Sequence, residues 1–130
     1  MPAPCGGPVV EGVGVDVVEI SRIGEIVERW GEHFLGKVFT DREIAYARSR
    51  KNALQHFAAR FAVKEAVAKA VATGWRSGFR WKDVEVENDP SGKPSVKLGG
   101  KLKSLLDGAN VQVSISHSDK VVVGFAIVER

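Results

Sequence analysis

The chain has 130 residues, 44% of them apolar, which is enough for one domain with a real core and too few for two ordinary ones. Its 19 basic and 16 acidic residues leave a net charge of +3, a balance that admits anionic ligands but falls short of a dedicated nucleic-acid binder. Cys5 is the single cysteine, which excludes an intrachain disulfide, argues against a cysteine nucleophile and suits a reducing compartment such as the cytoplasm.

The opening MPAPCGGP has neither the basic stretch nor the apolar run of a signal peptide or anchor. It reads as a loose tail over residues 1–8, ahead of a single domain over 9–130. The longest apolar run, Val121 to Val128, is interrupted by Gly124 and is far shorter than the ~20 residues of a bilayer helix. No membrane partner is expected.

Val9 to Val18 is β-branched and partly alternating, which predicts a strand. Ile20 to Trp30 then has helical spacing, with Ile23, Ile26, Val27 and Trp30 apolar, so Asp16 and Glu19 fall at a strand-to-helix junction. Thr40-Asp41-Arg42-Glu43 is a capping box that opens a short helix to about Arg48. The basic cluster Arg48, Arg50 and Lys51 follows it.

Asn52 to Thr73 is the longest helical pattern, rich in Ala and free of Gly and Pro, with Asn52 and Gln55 placed as an N-cap and its capping-box partner. At 100° per residue His56, Arg60 and Lys64 share one narrow stripe, and Glu65 and Lys69 share another. The remainder is almost wholly apolar, so this helix belongs in the core and its polar residues must reach a cleft, a partner or each other. Arg60 and Lys64 are like charges one turn apart, which implies an anion over them. The plainer reading of Glu65 and Lys69 is an ordinary surface pair.

After Thr73-Gly74 comes a loop holding Trp75, Arg76, Phe79, Arg80 and Trp81. Two short strands, Val84 to Glu87 and Ser95 to Leu98, flank the turn-rich Asn88 to Pro94 and so predict a hairpin. A short helix over Gly100 to Leu106 precedes strands Val111 to Ser116 and Val121 to Val128, with His117 at the tip of the turn between them. Helices and strands mix without regular alternation, which predicts an α+β fold: a mainly antiparallel sheet packed on one long central helix and shorter helices. The last strand has no polar face, so both of its faces need cover, within the core or from another subunit.

Three constellations could carry chemistry. Gly12-Val13-Gly14-Val15-Asp16 lacks the third glycine and the later acidic residue of a dinucleotide fingerprint. Ser114, His117 and Asp119 crowd one strand end, with no nucleophile elbow around the serine, which argues against a catalytic triad. Asp16 and Glu65 are the pair worth combining: two carboxylates without Cys or ligand-like His suit a hard cation such as Mg2+, which completes its shell with water and phosphate. The plainer reading of Asp16 alone is a helix cap.

Gly14-x-Asp16 with Glu19 and Arg22, Phe39-Thr40-x-x-Glu43, Phe61-x-x-Lys64-Glu65-Ala66-x-x-Lys69-Ala70 and Ser114-Ile115-Ser116-His117, in that order and spacing, closely resemble the holo-[acyl-carrier-protein] synthase family of 4′-phosphopantetheinyl transferases. The turn Ser91-Gly92-Lys93-Pro94 resembles that family's coenzyme-binding loop. The resemblance implies transfer of phosphopantetheine from coenzyme A to a serine of apo acyl carrier protein in fatty acid biosynthesis, releasing adenosine 3′,5′-bisphosphate. It implies that Asp16 and Glu65 hold Mg2+ and that Lys69 stabilises the bridging and leaving oxygens. Arg50, Lys51, Arg60, Lys64, Gly92, Lys93 and Pro94 would bind the coenzyme, with His117 as a further contact. Glu65, a metal-bound water and His117 each stand as the base. Small members of the family imply a homotrimer with active sites between subunits, and Arg22 with Arg29, on one face of the first helix, would dock the acidic carrier. The alternatives are the same chemistry on a carrier domain of a large synthase, or a noncatalytic coenzyme- or nucleotide-binding module.

Overall fold

A computed structural model describes residues 6–71 and 78–130; Cys5 and most of the loop containing Thr73, Trp75 and Arg76 lie outside them. The order of elements is β1 (Val10–Glu19), α1 (Ile20–Val38), α2 (Asp41–Arg48), α3 (Ala53–Ala70), β2 (Val84–Asn88), β3 (Pro94–Leu98), α4 (Gly100–Leu105), β4 (Asn110–His117) and β5 (Val121–Glu129). The class is α+β. β1, β5 and β4 form an antiparallel sheet in that order, and β2 and β3 form a separate antiparallel hairpin. Val9 and Arg130 exchange two backbone hydrogen bonds of 2.9 Å, so the two ends of the domain close on each other.

α3 lies across the inner face of the three-stranded sheet, and glycines set how closely it does so. A Cβ on Gly14 would overlap the Ala66 carbonyl oxygen, one on Gly12 the Ala70 carbonyl oxygen, and one on Gly124 the backbone at Ala62. The Gly12-Val13-Gly14 pattern is therefore a packing device, in which the absent side chains let a helix rest directly on two strands. The N-terminal half of α3 buries Phe57, Ala58, Ala59 and Ala62 with Val18, Ile23, Leu35 and Phe39. Its C-terminal half buries Val63, Ala66, Val67 and Ala70 with Val84, Val86, Leu102 and Val128. One helix thus serves two cores.

Several boundaries differ from the sequence reading. α1 runs on to Val38 after a break at Gly31, whose φ of 52° only glycine adopts easily, so the segment ending at Trp30 is the first of two helical pieces. The second piece brings Leu35 and Val38 into the core. Asn52 occupies the N-cap of α3 without a side-chain capping bond, and α3 ends at Ala70 because Val71 turns to extended backbone. The α2 capping box is present as expected: Thr40 Oγ1 accepts from Glu43 N at 3.2 Å and Glu43 Oε1 accepts from Thr40 N at 3.0 Å. A single turn of 3-10 helix at Trp81–Asp83, which the aromatic spacing did not announce, leads into β2.

The outer face of the sheet is apolar and open in the single chain. Val13, Val15 and Val17 of β1 are 57%, 51% and 61% exposed, and they stand opposite Ile127, Phe125 and Val123 of β5. Phe125 itself is 37% exposed. β5 therefore gets cover from α3 on one face only.

Candidate active site

Asp16 points to the inner face of β1, toward α3, in line with Gly12 and Gly14. Its side chain is 18% exposed and forms an ion pair with Lys69, whose Nζ lies 3.0 Å from Asp16 Oδ1 and 3.0 Å from the Val15 carbonyl oxygen. Glu65 is half-buried and one helical turn before Lys69, on the same face of α3. Among the described residues no three His, Cys, Asp or Glu side chains form a closed metal cage. Two carboxylates fit a hard divalent cation that keeps waters and takes phosphate oxygens, and fit poorly a metal that needs a complete protein shell.

The Arg60–Lys64 stripe resolves differently from expectation. The anion over it belongs to the protein. Glu43, buried on α2, lies 2.9 Å from Lys64 Nζ, and Lys64 also donates to the carbonyl oxygens of Trp81 at 3.0 Å and of Val84. The second oxygen of Glu43 accepts from Val86 N at 2.9 Å. Burial pulls the Lys64 ammonium below the usual lysine range, and Glu43 opposes that shift. Lys64 is buried with all its bonds made inside the protein, to Glu43 and to the Trp81 and Val84 carbonyls, so the expectation that it contacts coenzyme is corrected: it ties α3 to α2 and to the start of β2 inside the core.

Arg60 keeps its charge available. It too is buried, but its partners are neutral: Nη2 donates to Asn88 Oδ1 at 2.8 Å and the guanidinium lies 4.3 Å from the centre of the Tyr46 ring. Burial lowers its pKa, partly offset by Glu43. Arg50 lies over the same ring at 4.8 Å, and His56 meets it edge-on at 5.5 Å. The His56 pKa is lowered by burial first, then by Arg60, Arg50 and His117. Arg50 before α3 and His56 and Arg60 on α3 thus gather around the Tyr46 ring, with His117 at the end of β4 among the groups that disfavour the charged form of His56. Lys51, in the turn between α2 and α3, is exposed.

The β2–β3 turn is built without any ligand. Asp89 Oδ1 accepts from Ser91 N, Ser91 Oγ and Lys93 N at 2.9, 2.6 and 2.9 Å, which holds its carboxyl below the usual range. Gly92 takes the left-handed conformation, φ 92°, and its N–H donates to the Asp89 carbonyl at 2.8 Å. Lys93 is exposed and Pro94 begins β3. On α1, Arg22 and Arg29 are exposed and line one shallow cleft with Glu19, Glu25 and Trp30. Neither pairs with Glu25 or Glu28 among the ion pairs of the described residues, and Arg29 lies over the Trp30 ring at 5.4 Å.

Sequence reasoning missed Glu43, Tyr46 and Asn88 as site-building residues. Glu43 was visible as a capping-box member and as part of the Phe39-Thr40-x-x-Glu43 block, and neither pattern names its long-range partner, Lys64. Tyr46 and Asn88 carry no spacing signal, because their partners lie on other elements.

Two layers of helix and antiparallel sheet around one acid-bearing edge and one basic cluster define a phosphoryl- or nucleotide-handling α+β domain. Residues 12–126 match the 4′-phosphopantetheinyl transferase superfamily, and the chain belongs to that family. It is 41% identical over 121 residues to the holo-[acyl-carrier-protein] synthase of Koribacter versatilis, covering 91% of this chain and 97% of that one. Its structure resembles the holo-[acyl-carrier-protein] synthase of Neisseria meningitidis with a TM-score of 0.87 and 31% identity, over 94% of this chain and 100% of that one. It also resembles the synthase of Bacillus anthracis solved in complex with CoA (3′,5′-ADP), with a TM-score of 0.78 and 32% identity over 92% and 96% of the two chains.

Proposed function

We propose that the chain transfers 4′-phosphopantetheine from coenzyme A to a serine of an apo acyl carrier protein, releasing adenosine 3′,5′-bisphosphate. The observation that carries this reading is the Asp16–Lys69 ion pair that joins β1 to α3 one helical turn from Glu65. Asp16 and Glu65 are the residues to hold Mg2+. When bound, the ion supplies charge neutralisation at the pyrophosphate and orientation of its oxygens. Lys69 is exposed enough to leave Asp16 and donate to the bridging and leaving oxygens as negative charge grows there. Glu65 and His117 are the side chains offered as proton acceptors for the serine hydroxyl.

Arg60 and Arg50 are assigned the 3′-phosphate of the coenzyme, with Lys51 adding positive potential and His117 as a further contact. Ser91-Gly92-Lys93-Pro94 lies beside the nucleotide, where a side chain at Gly92 would meet nothing of the protein and the space is free for ligand. The open apolar face of β1 and β5 supports self-association, in our reading as a homotrimer with active sites between subunits. Arg22 and Arg29 present a free basic surface to the acidic carrier. A reducing cytoplasm suits a chain whose only cysteine is Cys5.

Intact-mass measurement of apo carrier protein after incubation with the protein, coenzyme A and Mg2+ tests the reading. A gain of one phosphopantetheine on the carrier, lost when EDTA is present, is the expected result; an unmodified carrier under conditions where a known transferase loads it would refute it.

A further inference from the structure

Asn88 is the last residue of β2, and its amide is committed at both ends. Oδ1 accepts from Arg60 Nη2 at 2.8 Å, and Nδ2 donates to the Gly92 carbonyl oxygen at 3.0 Å. Because a guanidinium can only donate and a carbonyl can only accept, the orientation of the amide is unambiguous. One small side chain therefore joins a buried arginine of α3 to the middle of the β2–β3 turn.

The chemistry of the two cations on the α3 stripe differs in one respect. Lys64 is matched by a carboxylate, Glu43, and its charge is spent inside the core. Arg60 is 2% exposed, yet the groups that orient it, Asn88 and Tyr46, are neutral, and among the described residues its Nε has no hydrogen-bond partner. A neutral acceptor fixes the plane of a guanidinium without cancelling its charge, and a carboxylate in the same place would do both. An amide is the partner that keeps an arginine aimed and still attractive to a phosphate.

We propose that Asn88 is a positioning residue for coenzyme selection: it aims Arg60 at the 3′-phosphate and locks the Ser91-Gly92-Lys93-Pro94 turn to the same frame, so that both ends of the nucleotide site move as one unit. This rests on the assignment of Arg60 to the 3′-phosphate. The turn already holds its own shape through Asp89, so the contribution of Asn88 lies in where the turn and Arg60 stand relative to each other.

The test compares coenzyme A with dephospho-coenzyme A, by calorimetric Kd and by kcat/KM, in wild type, Asn88→Ala, Asn88→Asp and Arg60→Ala. Wild type should prefer the 3′-phosphate. Asn88→Ala should lower that preference about tenfold, the loss of one hydrogen bond to a charged group, with any weakening toward dephospho-coenzyme A smaller than that toward coenzyme A. Asn88→Asp should lose the preference as well, because a carboxylate still accepts from Arg60 but neutralises it, and can no longer donate to the Gly92 carbonyl. The double variant Arg60→Ala/Asn88→Ala should be no worse than Arg60→Ala alone. An undiminished preference in Asn88→Ala while Arg60→Ala abolishes it overturns the proposal and leaves the Arg60 assignment standing. Equal weakening toward both coenzymes in Asn88→Ala overturns it too, and an undiminished preference in Arg60→Ala overturns both.

Discussion

Asp16 and Lys69 hold each other across the β1–α3 contact, and under the proposed function each must exchange this pairing for ligand. Asp16→Ala and Glu65→Ala should each lower kcat/KM at least ~100-fold, about 2.7 kcal/mol of transition-state stabilisation, and leave the fold intact because both groups sit at an edge of the packing. Steady-state kinetics with circular dichroism checks this; near-normal turnover by either variant, or turnover unaffected by excess EDTA, contradicts the metal assignment. His56 supplies a second reading at the same scale. Burial, Arg60, Arg50 and His117 all favour its neutral ring, so the folded protein binds that proton less tightly than the unfolded chain does. Stability should therefore be independent of His56 above pH 6.5, its ordinary value, and should fall as the pH drops below it. An NMR titration should place its midpoint below 6.5, and coenzyme A should move the midpoint up if a phosphate enters the cluster. A midpoint unmoved by saturating coenzyme separates this cluster from the ligand.

Among elements, α3 organises the rest because it is buried on nearly every side, and its two internal cations show how differently burial can be tolerated. Lys64→Met leaves the Glu43 carboxylate buried without its cation and should cost about 3–5 kcal/mol in chemical denaturation. Adding Glu43→Leu removes the stranded charge but also orphans the amides of Thr40 and Val86, so the double variant should recover only part of the loss. Full recovery would mean that those two hydrogen bonds carry nothing. α1 is the other element with a defined expectation. Its arginines are not engaged with Glu25 or Glu28, so Arg22→Glu should raise the KM for carrier protein by tenfold or more at low salt while the KM for coenzyme A stays constant. Added salt should shrink the difference. Carrier kinetics equal to wild type would move the docking surface off this helix.

At the level of the whole molecule, one sheet has two unlike faces. The inner face is closed by α3, and the outer one leaves Val13, Val15, Val17 and Phe125 exposed beside one another. An apolar surface of that kind, spread over the edge strand β1 and the central strand β5, is stable when a second copy covers it. Under the proposed assembly, a trimer with sites between its subunits, Phe125→Asp should shift sedimentation from trimer to monomer and reduce activity with it. A fully active wild-type monomer at assay concentration would contradict the assembly.

The elements themselves were legible in the chain wherever the cause is local: the α2 capping box, the alternation of β4, the turn chemistry of Asn88 to Pro94 and the unbroken pattern of α3 all act within a few residues. The pairing of acids and amine was legible as far as helical spacing reaches, which places Glu65 and Lys69 on one face. Long-range partners were not. Nothing within a few residues of Lys64 indicates that its counter-ion is a capping residue on α2, nor that Arg60 would be oriented by an amide 28 positions later. Like charges one turn apart announce that an anion is needed, and only the packing of α2, α3 and the hairpin decides that for Lys64 the anion is internal while Arg60 meets a neutral amide and a tyrosine ring. The same holds for Gly12 and Gly14: the sequence by itself determined that side chains are missing there, and the tertiary structure decided that the space they leave is filled by the backbone of a helix.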